Sequence, residues 1–395
     1  MKRVLFVDDE PQVLEGIRRS LRMMRKVWEM VFCHTVREAL AEVESRGAAV
    51  VVSDMRMPEM DGAEFLARVA ALRPDAVRII LSGHMDESSA VRAASVAHRF
   101  LSKPCDAKSL EAVITHALRL SAGLVSDDMR SLIGGLESLP SLPRAYLALN
   151  QAVANENVAM SEVARIVETD PGMAAKILQL VNSSFFGLPR KMASISQAAG
   201  YLGVGTIKTL VLANTLFHAL GTADLEAAER ERERSLLRAR IARRLFDDRS
   251  KAESASTAAL LLHVGTLMLR SRLPIEHAAN VSLAGHRKVA LHEIERERLG
   301  VTHAEVGAHL LGLWGLPSEI IDAVAAHHGS WNELTSLDVR GAVRVAEALS
   351  AELLSEPGDM PEAGLPAGLV AELGISDAVS RMRDEFMPAV AGGGR

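Results

Sequence analysis

Residues 48–62 read Ala48-Ala49-Val50-Val51-Val52-Ser53-Asp54-Met55-Arg56-Met57-Pro58-Glu59-Met60-Asp61-Gly62. The apolar run Ala48–Ser53 has the length of a strand and ends on the carboxylate of Asp54. Upstream, Lys2–Val7 is a second such run, and it also stops at acids, Asp8 and Asp9. Trp28–Thr35, Val77–Ser82 and His98–Leu101 are further β-branched or apolar runs. Helical patterns lie among these runs, over Pro11 to about Met24, 36–46, 62–73, 86–96 and 106–120. Five strands alternating with five helices predict an α/β domain built on a doubly wound, five-stranded parallel sheet. Such sheets bind ligands beyond the carboxyl ends of their strands. The residues at those ends are Asp8, Asp9, Asp54, Ser82 and Lys103.

Three crowded carboxylates repel and raise one another's pKa unless a cation joins them. Oxygen-only ligands select a hard ion, and Mg²⁺ is the usual one where phosphate shares the site. Lys103 supplies a mobile positive charge and Ser82 a hydroxyl, both suited to phosphoryl oxygens. A carboxylate beside Mg²⁺ can act as a nucleophile and form an acyl phosphate. Any one of these acids alone reads as a solvated strand end; the set at successive strand ends is far more specific.

Residues 1–120 resemble the receiver domain of two-component response regulators, a flavodoxin-like fold. The matching pieces are Val7-Asp8-Asp9-Glu10, Asp54-Met55-Arg56-Met57-Pro58 leading to Asp61-Gly62, Ser82-Gly83 and Lys103-Pro104. The resemblance implies that Asp54 is the phosphoacceptor and Asp9 a direct Mg²⁺ ligand. It implies that Asp8 helps through water and that the backbone carbonyl of Arg56 completes the protein ligands. Lys103 would pair with the phosphoryl group, Ser82 would follow it inward, and Phe100 matches the switch aromatic. A cis Lys103–Pro104 bond is expected.

The chain has 395 residues, too many for one ordinary core, so at least two domains are expected. With 48% hydrophobic and 24% charged residues it has the balance of a soluble globular protein. Its longest apolar runs fall short of the roughly 20 residues of a spanning helix. The N-terminus meets an acidic cluster and no small-residue cleavage site, so no secretory signal is expected. Two isolated cysteines, Cys33 and Cys105, fit a reduced, cytoplasmic setting. Residues 1–125 carry a net charge of +1 and the remainder −6, which argues against output through broad nucleic-acid binding. The 13 histidines are the odd feature, raising the prospect of a metal-dependent hydrolase.

From about Asp106 the pattern stays helical. Leu110, Val113, Ala117, Leu120 and Leu124 are spaced 3-4-3-4. This is the core-facing stripe of a last helix packed on its sheet, or else a connector or dimer seam. Glycines and prolines over Ser126–Leu142 read as a linker. Domains are therefore expected over 1–120, with a connector over 121–138, an all-α domain over 139–345 and a helical extension and tail over 346–395.

Asp170 and Pro171 open a helix as cap and first residue. Beyond it, Ser194–Leu202, the turn Gly203-Val204-Gly205 and a helix from Thr206 have the outline of a helix-turn-helix. The second helix, Ile207-Lys208-Thr209-Leu210-Val211-Leu212-Ala213, holds one basic residue and is apolar on nearly every face, so burial is expected in place of groove reading. With Leu139-Pro140-Ser141-Leu142-Pro143, Asn182-Ser183-Ser184-Phe185-Phe186-Gly187, Gly300–Ala308 and Trp314-Gly315-Leu316-Pro317, this region resembles the HDOD domain over roughly 130–345. HDOD domains look like relatives of the HD phosphohydrolases that have lost catalysis and serve as regulatory or scaffolding modules.

HD chemistry needs a first His, a His-Asp pair and a distant Asp to hold a water-activating metal. Here Arg234 falls in the segment resembling the first-His helix, the pair reads His263-Val264, and the distant acid corresponds to Glu347. One ligand survives, and a lone His on an apolar helix is more often core than ligand. No transition metal is therefore expected in this domain. His303, His309 and the pair His327-His328 read first as polar residues closing helix ends. Adjacent histidines on a helix diverge by about 100° and do not easily share one ion. A pocket lined by His303 and the pair would suit an anionic ligand such as a nucleotide. Glu229–Lys251 reads as a solvated helix, whose later part (Arg238, Arg240, Arg243, Arg244, Arg249, Lys251) is a basic surface for an acidic partner. The tail 356–395 is rich in Gly, Pro and Ala, with a helix expected near Ser376–Phe386 and fraying over Gly392–Arg395.

The expected function is that of a response regulator. It takes a phosphoryl group on Asp54 from a sensor histidine kinase or phosphotransfer protein. It then acts on a downstream protein partner through a non-catalytic HDOD domain, with homodimerisation as one route and neither nucleic acid nor membrane as partner. The rival readings are an HD-type metal-dependent phosphodiesterase of cyclic dinucleotides and a DNA-binding transcriptional regulator.

Overall fold

The computed structural model describes residues 1–83, 93, 96–123, 139–141, 148–149, 151–152, 158–182, 191–212, 217–219, 225–334, 336–354 and 364–391. The helix expected over 86–96, most of the connector, Leu124, the Phe185-Phe186 motif and the last four residues lie outside the described residues.

The N-terminal domain has strands β1 (Lys2–Val7), β2 (Trp28–Cys33), β3 (Val50–Asp54), β4 (Val77–Ser82) and β5 (Arg99–Ser102). Helices α1 (Pro11–Ser20), α2 (Val36–Arg46), α3 (Gly62–Leu72) and α4 (Ala107–Gly123) accompany them. The strands pair in parallel in the order β2-β1-β3-β4-β5, the doubly wound order with a switch point between β1 and β3. Every residue of β3 and β4 is buried, as for parallel strands covered on both faces. The helix starts are set locally: Thr35 and Asp61 each accept a hydrogen bond from the backbone N–H three residues on, Glu38 and Glu64. Of the expected stripe of α4, Leu110 and Ala117 are buried and Val113 is half-buried, and the inward face also carries Ile114 and Leu118, which the spacing did not single out.

Among the described residues the remainder is helical apart from turns and a two-stranded parallel pair, β6 (Leu139–Ser141) with β7 (Phe217–Ala219). Its helices are α5 (Met160–Val167), α6 (Pro171–Val181), α7 (Ile195–Leu212), α8 (Leu225–Arg244), α9 (Arg249–Leu260), α10 (Val264–Arg272), α11 (Pro274–Arg287), α12 (Leu291–Leu299), α13 (His303–Leu313), α14 (Ser318–Ala325), α15 (Val339–Leu354), α16 (Ala367–Glu372) and α17 (Ser376–Ala391). Asp170 caps α6 through the Met173 N–H, and all eleven residues of that helix are buried. The expected turn at 203–205 is a kink inside α7, where Gly203 has φ 78° and ψ 160°. Ile207 beyond it is fully buried, in keeping with a core helix. Helix α15 runs unbroken through the boundary expected at 345. The stretch Arg249–Arg272 is long and apolar enough to cross a bilayer, but 78% of its most apolar window is buried inside the protein. Its hydropathy is that of a core.

The two domains touch. Helix α4 packs on α13, and Gln179 Nε2 donates to the Ala97 carbonyl at 3.4 Å. The Arg99 guanidinium lies against Gly315, where a Cβ would collide with Arg99 Nη1; with φ 80°, Gly315 is also a position that only glycine adopts readily. Lys191 Nζ donates to the Leu316 carbonyl at 3.3 Å beside Arg99. Burial pulls the Arg99 guanidinium down to about 10.

Candidate functional site

The parallel register sets Ser53 beside Val7, Asp54 beside Leu81, and Ser82 beside Ser102. The carboxyl ends of β1, β3, β4 and β5 therefore deliver their polar residues to one edge. Lys103 Nζ bridges Asp54 Oδ1 at 2.5 Å and Asp8 Oδ2 at 2.7 Å. The Arg56 N–H donates to Asp54 Oδ2 at 2.7 Å and the Glu10 N–H to Asp8 Oδ1 at 3.0 Å. Asp8, Asp54 and Ser82 are buried, whereas Asp9 is exposed. Phe100 is buried three residues before Lys103, and the Lys103–Pro104 bond is cis. All the strand-end residues singled out in the sequence thus sit on this edge.

Burial raises the Asp8 carboxyl, and the Lys103 ammonium and the Glu10 N–H only partly offset it. Burial alone would lower the Lys103 ammonium, but its hydrogen bonds and charge attraction to Asp54 and Asp8 leave it raised. With Asp9, the edge sets three carboxyl groups against one ammonium. A divalent, oxygen-preferring cation makes up that balance, so the residues present fit Mg²⁺.

A second polar cluster lies inside the helical domain. On α8, Arg238 is 1% exposed. It reaches Glu347 Oε2 of α15 at 2.7 Å and pairs with Glu231 two turns away on the same helix. His263 Nδ1 lies 3.1 Å from Glu231 Oε1, and its Nε2 lies 3.5 Å from Glu347 Oε1. This corrects the sequence alignment of the helix: the arginine that meets His263 and Glu347 is Arg238, while Arg234 is exposed one turn earlier. Val264 is buried and brings an isopropyl group where an HD pair has a carboxylate. The basic surface expected along this helix is correspondingly reduced. Arg238 points inward, and Arg244 pairs with Glu385 at 2.7 Å and stacks on Phe386 of α17.

Beside His263 the fold collects histidines that the sequence left dispersed. The His263, His303 and His327 rings lie 5.3–5.4 Å apart centroid to centroid. His328 is 3.8 Å from His327, and its Nε2 is 2.9 Å from His303 Nε2. The pair His327-His328 is not helical, as the divergence argument assumed; it follows the end of α14 at Ala325 in a turn. The approach depends on Gly265, where a Cβ would strike the His303 carbonyl oxygen and come within 2.7 Å of Gly307 N. His303 Nδ1 lies 2.7 Å from Glu295 Oε2, and Glu295 is fully buried. His327 Nδ1 lies 2.7 Å from the Val324 carbonyl, leaving its buried Nε2 without a hydrogen-bond partner. An orphan of this kind costs about 1–3 kcal/mol. Desolvation, with the neighbouring histidines, holds His327 well below its ordinary value, so the ring is neutral.

The family model of the response regulator receiver domain matches residues 4–115, and that of the HDOD domain matches residues 139–330. An uncharacterised protein of Treponema pallidum (strain Nichols) is 24% identical over 200 residues, 50% of this chain and 39% of that protein. The transcriptional regulatory protein GlrR of Escherichia coli K12 is 29% identical over 175 residues, 44% of this chain and 37% of that protein. The chain thus spans about two fifths of the length of these curated relatives. The MmoQ response regulator of Methylococcus capsulatus Bath, a solved structure, is 26% identical with a TM-score of 0.50, covering 62% of this chain and 97% of that one. A virulence factor from Campylobacter jejuni shares the fold at 21% identity and a TM-score of 0.51, over 68% of this chain and 98% of that one. Both domain models match, in this order, and the chain belongs to the response regulators, with an N-terminal receiver domain followed by an HDOD domain.

Proposed function

We propose that Asp54 is the phosphoacceptor and that its modification controls the HDOD domain through the seam between the two. The observation that carries this reading is Lys103 held between Asp54 and Asp8 at the switch-point edge. An Asp54 carboxylate oxygen attacks the phosphorus of a phosphohistidine on a sensor kinase or phosphotransfer protein. The P–N bond breaks, the imidazole nitrogen keeps the electron pair and takes up a proton, and an acyl phosphate remains on Asp54. Asp8, Asp9, Asp54 and the Arg56 carbonyl would hold Mg²⁺, which supplies charge neutralisation for the incoming phosphoryl group. Lys103 then exchanges a carboxylate partner for a phosphoryl oxygen, and Ser82 and Phe100 follow inward.

Arg99 is the residue before Phe100 and abuts Gly315, so a shift of the switch aromatic acts directly on the domain contact. The HDOD output is non-catalytic and works on a protein partner. Val264 removes an acid from the HD pair, and Arg238 Nη1 sits 3.4 Å from the His263 ring. The test is labelling of the full chain by acetyl phosphate with Mg²⁺, followed by hydrogen exchange at the seam with and without beryllofluoride. Wild type labels, Asp54→Asn does not, and protection at residues 97–99 changes only in wild type. Full labelling of Asp54→Asn overturns the acceptor assignment; unchanged protection overturns the coupling.

A further inference from the structure

We propose that His263, His303 and His327 of the HDOD domain bind one divalent transition-metal ion, zinc by class. One nitrogen from each of the three imidazoles lies within 4.8 Å of those of the others, before any contraction about an ion. Two of the rings are already oriented as ligands are. His303 turns its Nδ1 to the buried Glu295 carboxylate and His327 its Nδ1 to the Val324 carbonyl. Each ring therefore directs Nε2 into the shared space, the arrangement in which an outer partner fixes the tautomer of a metal-bound histidine. His263 sets Nδ1 against Glu231 and has Nε2 3.5 Å from Glu347 Oε1, a second contact that an ion would replace.

His327 is 5% exposed, and its Nε2 has no other partner. A packed core histidine does not explain that lone pair; a ligand does. His328 Nε2 lies 2.9 Å from His303 Nε2 at the edge of this group, a hydrogen bond that an ion on His303 would replace, and the three rings leave a fourth position for a water. The charge around the rings agrees. Glu231, Glu347 and Glu295 face the histidines with Arg238 as the facing guanidinium, leaving two negative charges for a dication to balance. Neutral imidazole nitrogens of this number suit Zn²⁺ and its neighbours Co²⁺ and Ni²⁺ and disfavour Mg²⁺ or Ca²⁺. The ion would tie together the turn before α10, the start of α13 and the turn after α14. Only His263 of these ligands aligns with an HD motif, so the sequence by itself gave no metal here.

The site is tested on the full chain, stripped with a chelator and kept in millimolar Mg²⁺ so that the receiver acids are filled. Co²⁺ is titrated in, and absorbance is read between about 500 and 650 nm, where tetrahedral nitrogen sites absorb strongly and octahedral oxygen sites do not. We expect one equivalent of Co²⁺ with strong bands, displaced by Zn²⁺. The bands should be lost in His303→Ala and His327→Ala and retained in His286→Ala, which alters an exposed histidine on α11. Glu295→Gln removes no ligand and should weaken binding about 10–100-fold. Absence of strong bands at one equivalent, or bands undiminished in His303→Ala, overturns the site. Should the alanine variants fail to fold, undiminished affinity in Glu295→Gln overturns it instead.

Discussion

Replacing Arg238 by methionine is the sharpest test of how the helical domain is held together. The guanidinium is 1% exposed and is shared between Glu231 and Glu347, whose side chains are 20% and 18% exposed. Arg238→Met keeps the volume of the side chain and removes its charge, leaving two nearly buried carboxylates without the guanidinium they share. Breaking a buried ion pair from one side costs about 3–5 kcal/mol, because the stranded partner keeps its desolvation penalty. For a domain of about 200 residues each kcal/mol moves the midpoint by roughly 2–4 °C, so a fall of about 6–20 °C is expected. Thermal unfolding followed by the fluorescence of Trp314 and Trp331, which both lie in the helical domain, reads it out. The triple variant Arg238→Met, Glu231→Gln, Glu347→Gln removes all three charges together and should return to within about 1–2 kcal/mol of wild type. A loss below about 1 kcal/mol in Arg238→Met would refute the reasoning, as would a triple variant no more stable than the single.

Other consequences are open to measurement. Gly315→Ala places a methyl group on Arg99 Nη1 at a backbone of φ 80°, and should loosen the domain contact. Limited proteolysis should then cut near the seam several-fold faster while the melting of each domain changes little. The ammonium of Lys191, an exposed residue, meets the Leu316 carbonyl; desolvation there and the facing Arg99 pull it down to about 8 from 10.5. Between those values the separated state holds more protons than the docked state, so docking strengthens as pH rises from 8 toward 10.5 and that gain is lost as pH falls through 8. Seam protection in hydrogen exchange, corrected for intrinsic rates, should rise in wild type from pH 8 up to the range near 10 where Arg99 also titrates, and stay flat there in Lys191→Gln.

The receiver was legible because its signal is local and repeated: each strand is an apolar run, and each chemical residue is the one that follows it. Parallel pairing then carries Asp8, Asp54, Ser82 and Lys103 to one edge without further information. The helical domain obeys no such rule. Arg234 and Arg238 stand one turn apart on the same face of α8, and periodicity does not say which of them reaches the core. His303 opens one helix and His327 follows another, so their meeting with His263 depends on how three elements cross. That crossing rests on the close approach at Gly265, a contact no spacing in the chain announces. The helical reading of His327-His328 failed for the same reason: α14 ends at Ala325, and the turn beyond it frees both rings to face the same way.

Helix α13 is gripped at both ends. Its C-terminal end leads through Trp314 into Gly315, against Arg99 of the receiver, and its first residue is His303. Eleven residues at 1.5 Å each make a rod of about 16 Å. A tilt of about 5° pivoted at the receiver end carries the other end through about 1.4 Å, since a single short helix does not bend appreciably over that length. Close packing leaves no slack to absorb such a movement. The helix is thus a lever with its load at the histidines. It runs both ways: whatever fixes His303 also stiffens the grip of the helical domain on the receiver, and under the proposed coupling it would set how much work a change at Asp54 must do.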